Sequence, residues 1–360
     1  MTRAAPRDRL RRIVEAFPRV TVTVLGDMVA DEFIFGEISR VSREAPVLIL
    51  RHRERSVVPG GGANAVNNLA ELGVNVLPVG IVGNDEPGNL LVRSFRRQRI
   101  PVAGILRDKN FPTVTKTRIL AGLPHTWRQQ VVRVDREPDG APGGRLAREL
   151  ALAAREYLRA SDALLVSDYG YGAATPEILS ETRTPPGSRS PGPRRSKTSG
   201  SGRASRAIPI VLDSRHRLLE FPGVTSATPN QAEVEEALGI EIGQDWGRLS
   251  QAGEAILSRM KLDSLLVTRG RDGMVAFSAR HAPADIPIFG TEEAADVTGA
   301  GDTVIATFTA ALAAGARAEE AAHLANYAGG IVVMKRGTAT VSRQELLSAL
   351  DKSPPQTRPH

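Results

Sequence analysis

Short apolar runs that close on glycine or a small polar residue, with helical stretches between them, constrain this 360-residue chain most. TVTVLGD (21–27), NVLPVGIVG (75–83), ALLVSDYG (163–170), PIVLDS (209–214) and DSLLVTRG (263–270) are of this kind. Runs of that length and composition read as strands buried on both faces. Helical periodicity occupies 63–73, 144–160 and 231–238. Strands separated by helices imply an α/β fold with a doubly wound, mostly parallel sheet flanked by helices. Ligands of such sheets collect at the carboxyl ends of the strands, where Asp27, Asp168, Asp213 and Gly270 fall.

Two stretches break the rhythm. Residues 32–58 and 113–134 carry β-rich runs with no helix between them, which predicts a small separate sheet lying over the crevice as a lid. The expected organisation is one core domain over 20–345, a basic N-terminal helix or extension over 1–19, and a C-terminal tail over 346–360.

The chain has no cysteine, which excludes disulfides, thiolate metal sites and cysteine nucleophiles. No apolar run approaches the ~20 residues of a membrane span. The N-terminus has neither a long apolar stretch nor a small-residue cleavage site, so a cytoplasmic location with no membrane partner is expected. Basicity is local. Residues 181–206 hold six Arg and one Lys against one Glu, nearly all of the net charge of +7. The same stretch is rich in Pro, Ser and Gly, so it reads as a disordered, solvated insertion rather than a nucleic-acid-binding element.

AADVTGAGDTVIATFTAAL (294–312) carries the strongest chemical signal. Gly299-Ala300-Gly301 allows a tight turn into a helix over 303–312, which offers backbone N–H groups and a positive dipole end to an anion. Asp302 then stands beside that anion, as a general base acting on an attacking hydroxyl would, or else simply caps the helix. VPGGGANAVNNLAELG (58–73) provides room for a ligand against the backbone, with Asn64 able to donate and accept. Its G-x-G-x-x-A run (Gly60, Gly62, Ala65) lies well past the first βα turn, where a dinucleotide fingerprint belongs. No G-x-x-x-x-G-K-[ST] run is present.

Together these two segments resemble the paired signatures of the ribokinase-like (PfkB) carbohydrate kinases, and the resemblance spans about 20–341. It implies a ribokinase-like fold and transfer of the γ-phosphoryl group of ATP to a sugar hydroxyl. It also implies an anion hole at Gly299, Ala300 and Gly301, with Asp302 as base. By the same resemblance Asn230 and Glu233 in TPNQAE organise Mg²⁺ through water. Thr268, Gly270 and Gly273 line the nucleotide phosphates, Asn326 borders the adenine pocket, and Asp296 and Thr298 serve a K⁺ site.

GDMVADEFIFGEISRVSREAPV (26–47), TVTKTRIL (113–120) and LLVSDYGYG (164–172) resemble one branch of the family more closely. That branch phosphorylates O1 of D-glycero-D-manno-heptose 7-phosphate, a step toward ADP-heptose and lipopolysaccharide. The likeness implies that Asp31, Gly61 and Asn64 hold sugar hydroxyls. Charge nominates Lys116 and Arg118 for the substrate phosphate, against an exposed lid face as the alternative. Small-molecule partners are therefore the sugar phosphate and ATP, and lid strands with open edges predict a homodimer through the lid.

The chain departs from that branch in three ways. It ends near the core with no nucleotidyltransferase segment, so the kinase step alone is expected. The 181–206 stretch stands where the relative has a helix, and Arg215 stands where it has Lys. A kinase for another sugar or nucleoside, a nicotinamide oxidoreductase and a silent sugar- or nucleotide-binding protein are the alternatives.

Overall fold

The computed structural model describes residues 7–122, 129–183, 208–279, 281–290, 296–335 and 337–352. Along the chain the strands are β1 (Thr21–Gly26), β2 (Met28–Val41), β3 (Leu48–Gly61), β4 (Asn75–Gly83), β5 (Ile105–Asp108), β6 (Thr115–Gly122) and β7 (Gln129–Arg136). They continue as β8 (Ala163–Asp168), β9 (Ile210–Ser214), β10 (Ser226–Ala227), β11 (Ser264–Thr268), β12 (Met274–Ser278) and β13 (His281–Ile286). The helices are α1 (Arg7–Ala16), α2 (Gly62–Glu71), α3 (Glu86–Arg97), α4 (Gly144–Leu158) and α5 (Pro176–Arg183). After them come α6 (Gln231–Leu238), α7 (Trp246–Met260), α8 (Ala300–Ala313), α9 (Ala318–Val333) and α10 (Arg343–Lys352).

Nine strands form one sheet in the order β13-β12-β11-β10-β9-β8-β1-β4-β5. The pairs from β11 across to β5 are parallel, and β12 runs against both of its neighbours. Each apolar run found in the sequence is one of these strands, and side-chain alternation explains why the runs are continuous. In β1, Val22 and Val24 join the core formed with α1, α2, α3, α8, α9 and α10, while Leu25 joins the opposite core formed with α4, α5, α6 and α7. β8 and β9 divide the same way, with Leu165 and Val211 on the first side and Val166 and Leu212 on the second. Both faces are covered, so the strands are mostly apolar, and buried polar side chains such as Thr23 and Ser167 are the exceptions.

The second sheet, ordered β3-β2-β6-β7, comes from the two helix-free stretches; residues 123–128 within it lie outside the described residues. β2 and β6 pair in parallel, with antiparallel partners on either side. β2 leaves directly from the end of β1, and β3 returns to the start of α2 at Gly61, where the Gly62 N–H donates to Asp27 O at 3.0 Å. Half of the lid, β2 and β3, is thus an insertion between β1 and its crossover helix, and the other half, β6 and β7, is inserted between β5 and α4.

Three boundaries differ from expectation. α1 is an integral layer rather than an extension, because Leu10, Ile13 and Val14 are buried and α1 packs on α10. α10 carries the packed fold to Lys352, past the expected boundary at 345, with Leu346, Leu347, Ala349 and Leu350 buried. A crossover helix does precede β9: α5 runs to Arg183 and buries Ile178, Leu179 and Thr182. The rest of the expected insertion, from 184 on, lies outside the described residues.

Gly253 sits inside α7 because the ring of Phe277, on β12, lies where a Cβ would go. Gly253→Ala gains about 1 kcal/mol of helix propensity. It also overpacks a fully buried phenylalanine, at about 1–3 kcal/mol. The expected outcome is a lower denaturation midpoint with an unchanged slope; a higher midpoint would mean that the ring gives way freely.

Candidate active site

The carboxyl ends of β1, β8, β9 and β11 and the N-terminus of α8 converge on one crevice roofed by the lid. Asp27, just past β1, is buried and meets a fan of backbone donors. Its Oδ2 accepts from the N–H groups of Tyr169 and Tyr171 at 2.8 and 3.1 Å, and its Oδ1 from Ala173 at 2.8 Å. Burial pushes its carboxyl up to about 6 in spite of these bonds. The loop after β8 is thereby tied to the end of β1. Asp168 fixes the same loop from behind, paired with Arg217 and accepting from Ser214 Oγ at 2.7 Å.

α8 begins at Gly299, whose φ of +77° belongs to the left-handed region open to glycine. A Cβ at that position would also stand 2.6 Å from Asn64 Nδ2. Asp302 lies in the first turn and is buried. It does not cap the helix, because its oxygens face side chains from other elements. Oδ2 accepts from Asn64 Nδ2 at 2.8 Å, and Oδ1 accepts from the Tyr169 hydroxyl at 2.7 Å. Asn68 braces Asn64 through an Nδ2 to Oδ1 bond of 3.2 Å, and Thr303 Oγ1 donates to Asn68 Oδ1 at 2.8 Å. Burial raises the Asp302 carboxyl to about 6; the Asn64 and Tyr169 bonds pull the other way, Asp31 adds to the rise and Lys116 opposes it. Such a group is largely ionised at neutral pH yet basic enough to take a proton. The Ala300 N–H donates to Val297 O at 3.2 Å, so this member of the expected anion hole is engaged within its own turn.

The lid delivers Asp31 from β2 and Lys116 and Arg118 from β6, on the face toward Asp302. Asp31 opposes Lys116 in the parallel register, and Phe33 opposes Arg118. Arg118 donates to Asp31 Oδ1 at 2.5 Å and lies over the Phe33 ring, so its charge is already matched by a carboxylate. Lys116 is buried without any ion pair among the described residues. Its Nζ lies 5.2 Å from the centre of the Tyr169 ring and 5.6 Å from that of Tyr171. Burial holds its ammonium below the usual lysine range, and the charges of Arg215 and Arg133 add to this while Asp31 and Asp135 oppose it. Gly61 lines the same end of the crevice, with Tyr169 3.3 Å from where its Cβ would be.

At the other end Asn230 and Glu233 form a capping box on α6. Asn230 Oδ1 accepts from the Glu233 N–H at 2.9 Å, and Glu233 Oε2 accepts from the Asn230 N–H at 2.8 Å. The pair therefore has a helix-capping role whatever else it does. Asp213, at the end of β9, is the residue the sequence reading noted only as a strand end. Burial and the charges of Glu233, Asp302 and Asp168 hold its carboxyl well above the ordinary range, with Arg215 opposing. Glu233 is raised as well, chiefly by burial. Among the described residues no group of three or more His, Cys, Asp or Glu could hold a metal. Asp213 and Glu233 are instead a carboxylate pair in which the Glu233 charge disfavours ionisation of Asp213.

Thr268 is bridged to Asn230 across the sheet edge, and Gly270 and Gly273 bound the turn closed by the Arg269 N–H to Gly273 O bond of 2.9 Å. Asn326 is buried with its Nδ2 donating to Pro287 O at 2.8 Å, so its donor fastens the end of β13 rather than facing open space. Asp296 accepts from the N–H groups of Thr298 at 2.9 Å and Gly337 at 3.0 Å, tying the glycine turn to the segment after α9.

Residues 21–128 and 202–345 match the pfkB family carbohydrate kinases. The chain belongs to that family. Its members are phosphotransferases that use ATP. Among curated relatives, the bifunctional protein HldE of Trichlorobacter lovleyi is 36% identical over 345 residues, covering 94% of this chain and 65% of its own length. HldE of Geobacter sulfurreducens is 36% identical over 336 residues, covering 92% and 63%. This chain thus spans somewhat under two thirds of those relatives. Escherichia coli phosphofructokinase-2, solved with potassium, superposes with a TM-score of 0.70 at 17% identity, covering 92% of this chain and 98% of that one. Arabidopsis thaliana ribokinase, solved with ribose and ATP, gives 0.67 at 18%, covering 93% and 99%. At such identities the likeness is one of fold, and the kinase assignment rests on the family match. No helix among the described residues is long and apolar enough to cross a membrane.

Gly299→Ala should displace Asn64 from Asp302 and strain the turn. Stability is expected to drop by more than about 1 kcal/mol, and sugar-dependent ATP turnover at least ~10-fold, read by thermal unfolding and ADP release. Unchanged values for both would contradict the contact.

Proposed function

We propose that the chain transfers the γ-phosphoryl group of ATP to O1 of a sugar 7-phosphate, D-glycero-D-manno-heptose 7-phosphate by resemblance of its motifs. The observation that carries the substrate class is Lys116. Among the described residues this buried ammonium makes no ion pair and lies beside two tyrosine rings, with Arg215 and Arg133 disfavouring its charge and Asp31 and Asp135 favouring it, a position that an anion would complete. A phosphate on the sugar would do so. Arg118, given the same task from sequence, instead orients Asp31, which faces the sugar hydroxyls with Asn64 and Gly61.

In this reading Asp302 removes the proton from the anomeric hydroxyl and becomes the neutral acid. The sugar oxygen bonds to the γ-phosphorus as the bond to the β–γ bridging oxygen breaks, and ADP leaves. The N-terminus of α8 at Gly299, Ala300 and Gly301 faces the transferring group, and positioning and electrostatics supply most of the rate. Mg²⁺, when bound, neutralises charge on the phosphates. Asp213 and Glu233 would hold it, directly or through water, with Asn230 fixing Glu233. Asp296 and Thr298 are the proposed K⁺ ligands. Thr268, Gly270 and Gly273 follow the nucleotide phosphates, and Asn326 shapes the adenine end through the end of β13.

The face of the lid away from the site carries an apolar row. Ile34, Ile119 and Val132 are cross-strand neighbours there, and Val132 and Val134 are 45% and 55% exposed. A second copy of the chain covering this row is the proposed homodimer. Sedimentation should give a dimer for the native chain and a monomer for the double variant Val132→Glu/Val134→Glu; a monomeric native chain would sink the proposal.

The decisive assay is ADP release with ATP-Mg²⁺ over a panel of heptose 7-phosphate, fructose 6-phosphate, ribose and adenosine. Preference for the heptose phosphate is expected. Preference for an unphosphorylated sugar would overturn the anion reading of Lys116. Because protonated Asp302 has no base to offer, kcat/KM should fall as pH drops through about 6, and a flat profile from pH 5 to 8 would contradict the role.

A further inference from the structure

The phenol of Tyr169 does more than line the crevice. Its hydroxyl donates to Asp302 Oδ1 at 2.7 Å, while Asn64 donates to Oδ2 at 2.8 Å, so both oxygens of the carboxylate have a fixed donor. Two donors from different elements set the carboxylate plane. They leave the remaining lone pairs as the acceptors for a substrate hydroxyl. The backbone of Tyr169 is in turn held by Asp27 Oδ2 at 2.8 Å, at the first position of the fan that also takes Tyr171 and Ala173. The sequence motifs gave Asp27 only as a strand end and gave Tyr169 no role of its own.

We propose that Tyr169 is a positioning residue that keeps Asp302 ionised and in one orientation, and that Asp27 fixes Tyr169 in that place. The phenol is a permanent donor here: burial and the charges of Asp302 and Asp213 hold it well above its ordinary ionisation range, against the opposing charge of Arg215. A phenol bonds a carboxylate more strongly than it bonds the neutral acid, so the contact favours the ionised form. The other groups acting on Asp302 are Asp31 from β2 and Lys116 from β6, and Asp302 in turn acts on Asp213 at the end of β9. Burial and Asp31 favour protonation of Asp302, and Lys116 opposes it. Against burial and the Asp31 carboxylate, the neutral donors Tyr169 and Asn64 act with Lys116 to keep the base ionised near neutrality.

That Asp302 is a base at all rests on the kinase reading; the state of its carboxyl does not. The test is Tyr169→Phe in the full chain, which keeps the ring beside Gly61 and removes only the hydroxyl. Circular dichroism and the melting temperature check that the variant is folded. The side-chain carboxyl of Asp302, followed by carbon-detected NMR, should titrate about one pH unit higher than in the native chain, the scale of one hydrogen bond to a charged group. The acid limb of kcat/KM should move up by the same amount, with KM for ATP unchanged. Asp27→Asn, which replaces an acceptor oxygen by a donor, should move both in the same direction. A carboxyl titration and an acid limb that stay in place in both variants would overturn the proposal, even if kcat falls, because the phenol would then be packing alone. A native chain silent on every sugar would overturn the kinase reading, and the NMR titration would still decide the role of Tyr169.

Discussion

A carboxylate buried at the start of a helix is unfavourable unless donors reach it, and Asp302 is met from two directions. Asn64 comes from α2, which begins where the lid hairpin returns to the sheet, and Tyr169 comes from the loop beyond β8. Tyr169 is held there by Asp27, whose carboxylate gathers three N–H groups from that loop, and Asp168, paired with Arg217 and Ser214, fixes the end of β8 from which the loop leaves. Each of these acids stands at the end of a parallel strand or of the helix facing it. The doubly wound sheet thus brings segments distant in sequence to one line, and the local hydrogen bonds offset what burying the charges costs.

The lid answers the opposite problem. It brings two cations over a crevice rich in carboxylates, and they are treated differently. Arg118 is matched by Asp31 and stacked on Phe33, so it is structural as much as functional. Lys116 has aromatic faces for neighbours, with Arg215 and Arg133 disfavouring its charge and Asp31 and Asp135 favouring it. At the far end of the crevice the Glu233 charge disfavours ionisation of Asp213, and burial disfavours ionisation of both.

Much of this was legible from sequence, for a physical reason. Strands buried on both faces are mostly apolar along their length, so TVTVLGD, ALLVSDYG and PIVLDS announce themselves, and the GAGD turn announces a helix start that α8 bears out. α10 was harder, because a short amphipathic terminal helix resembles an exposed tail until Leu346 and Leu350 are seen to be covered. α5 was hidden by the change of composition that follows it at 184. The pairing of Arg118 with Asp31 was not readable, since it depends on the register of β2 against β6. Tyr169 was not readable either. Its bond to Asp302 joins residues 133 apart in sequence, and no periodicity or spacing encodes it.

The measurement that bears most directly on this account is single-turnover phosphoryl transfer by the native chain and by Asp302→Asn, each holding both substrates. Loss of the base should slow transfer by at least ~100-fold while ATP and the sugar phosphate remain bound and the fold is unchanged. Transfer at a near-native rate in Asp302→Asn would contradict the account, since the proton of the sugar hydroxyl would then leave by another route.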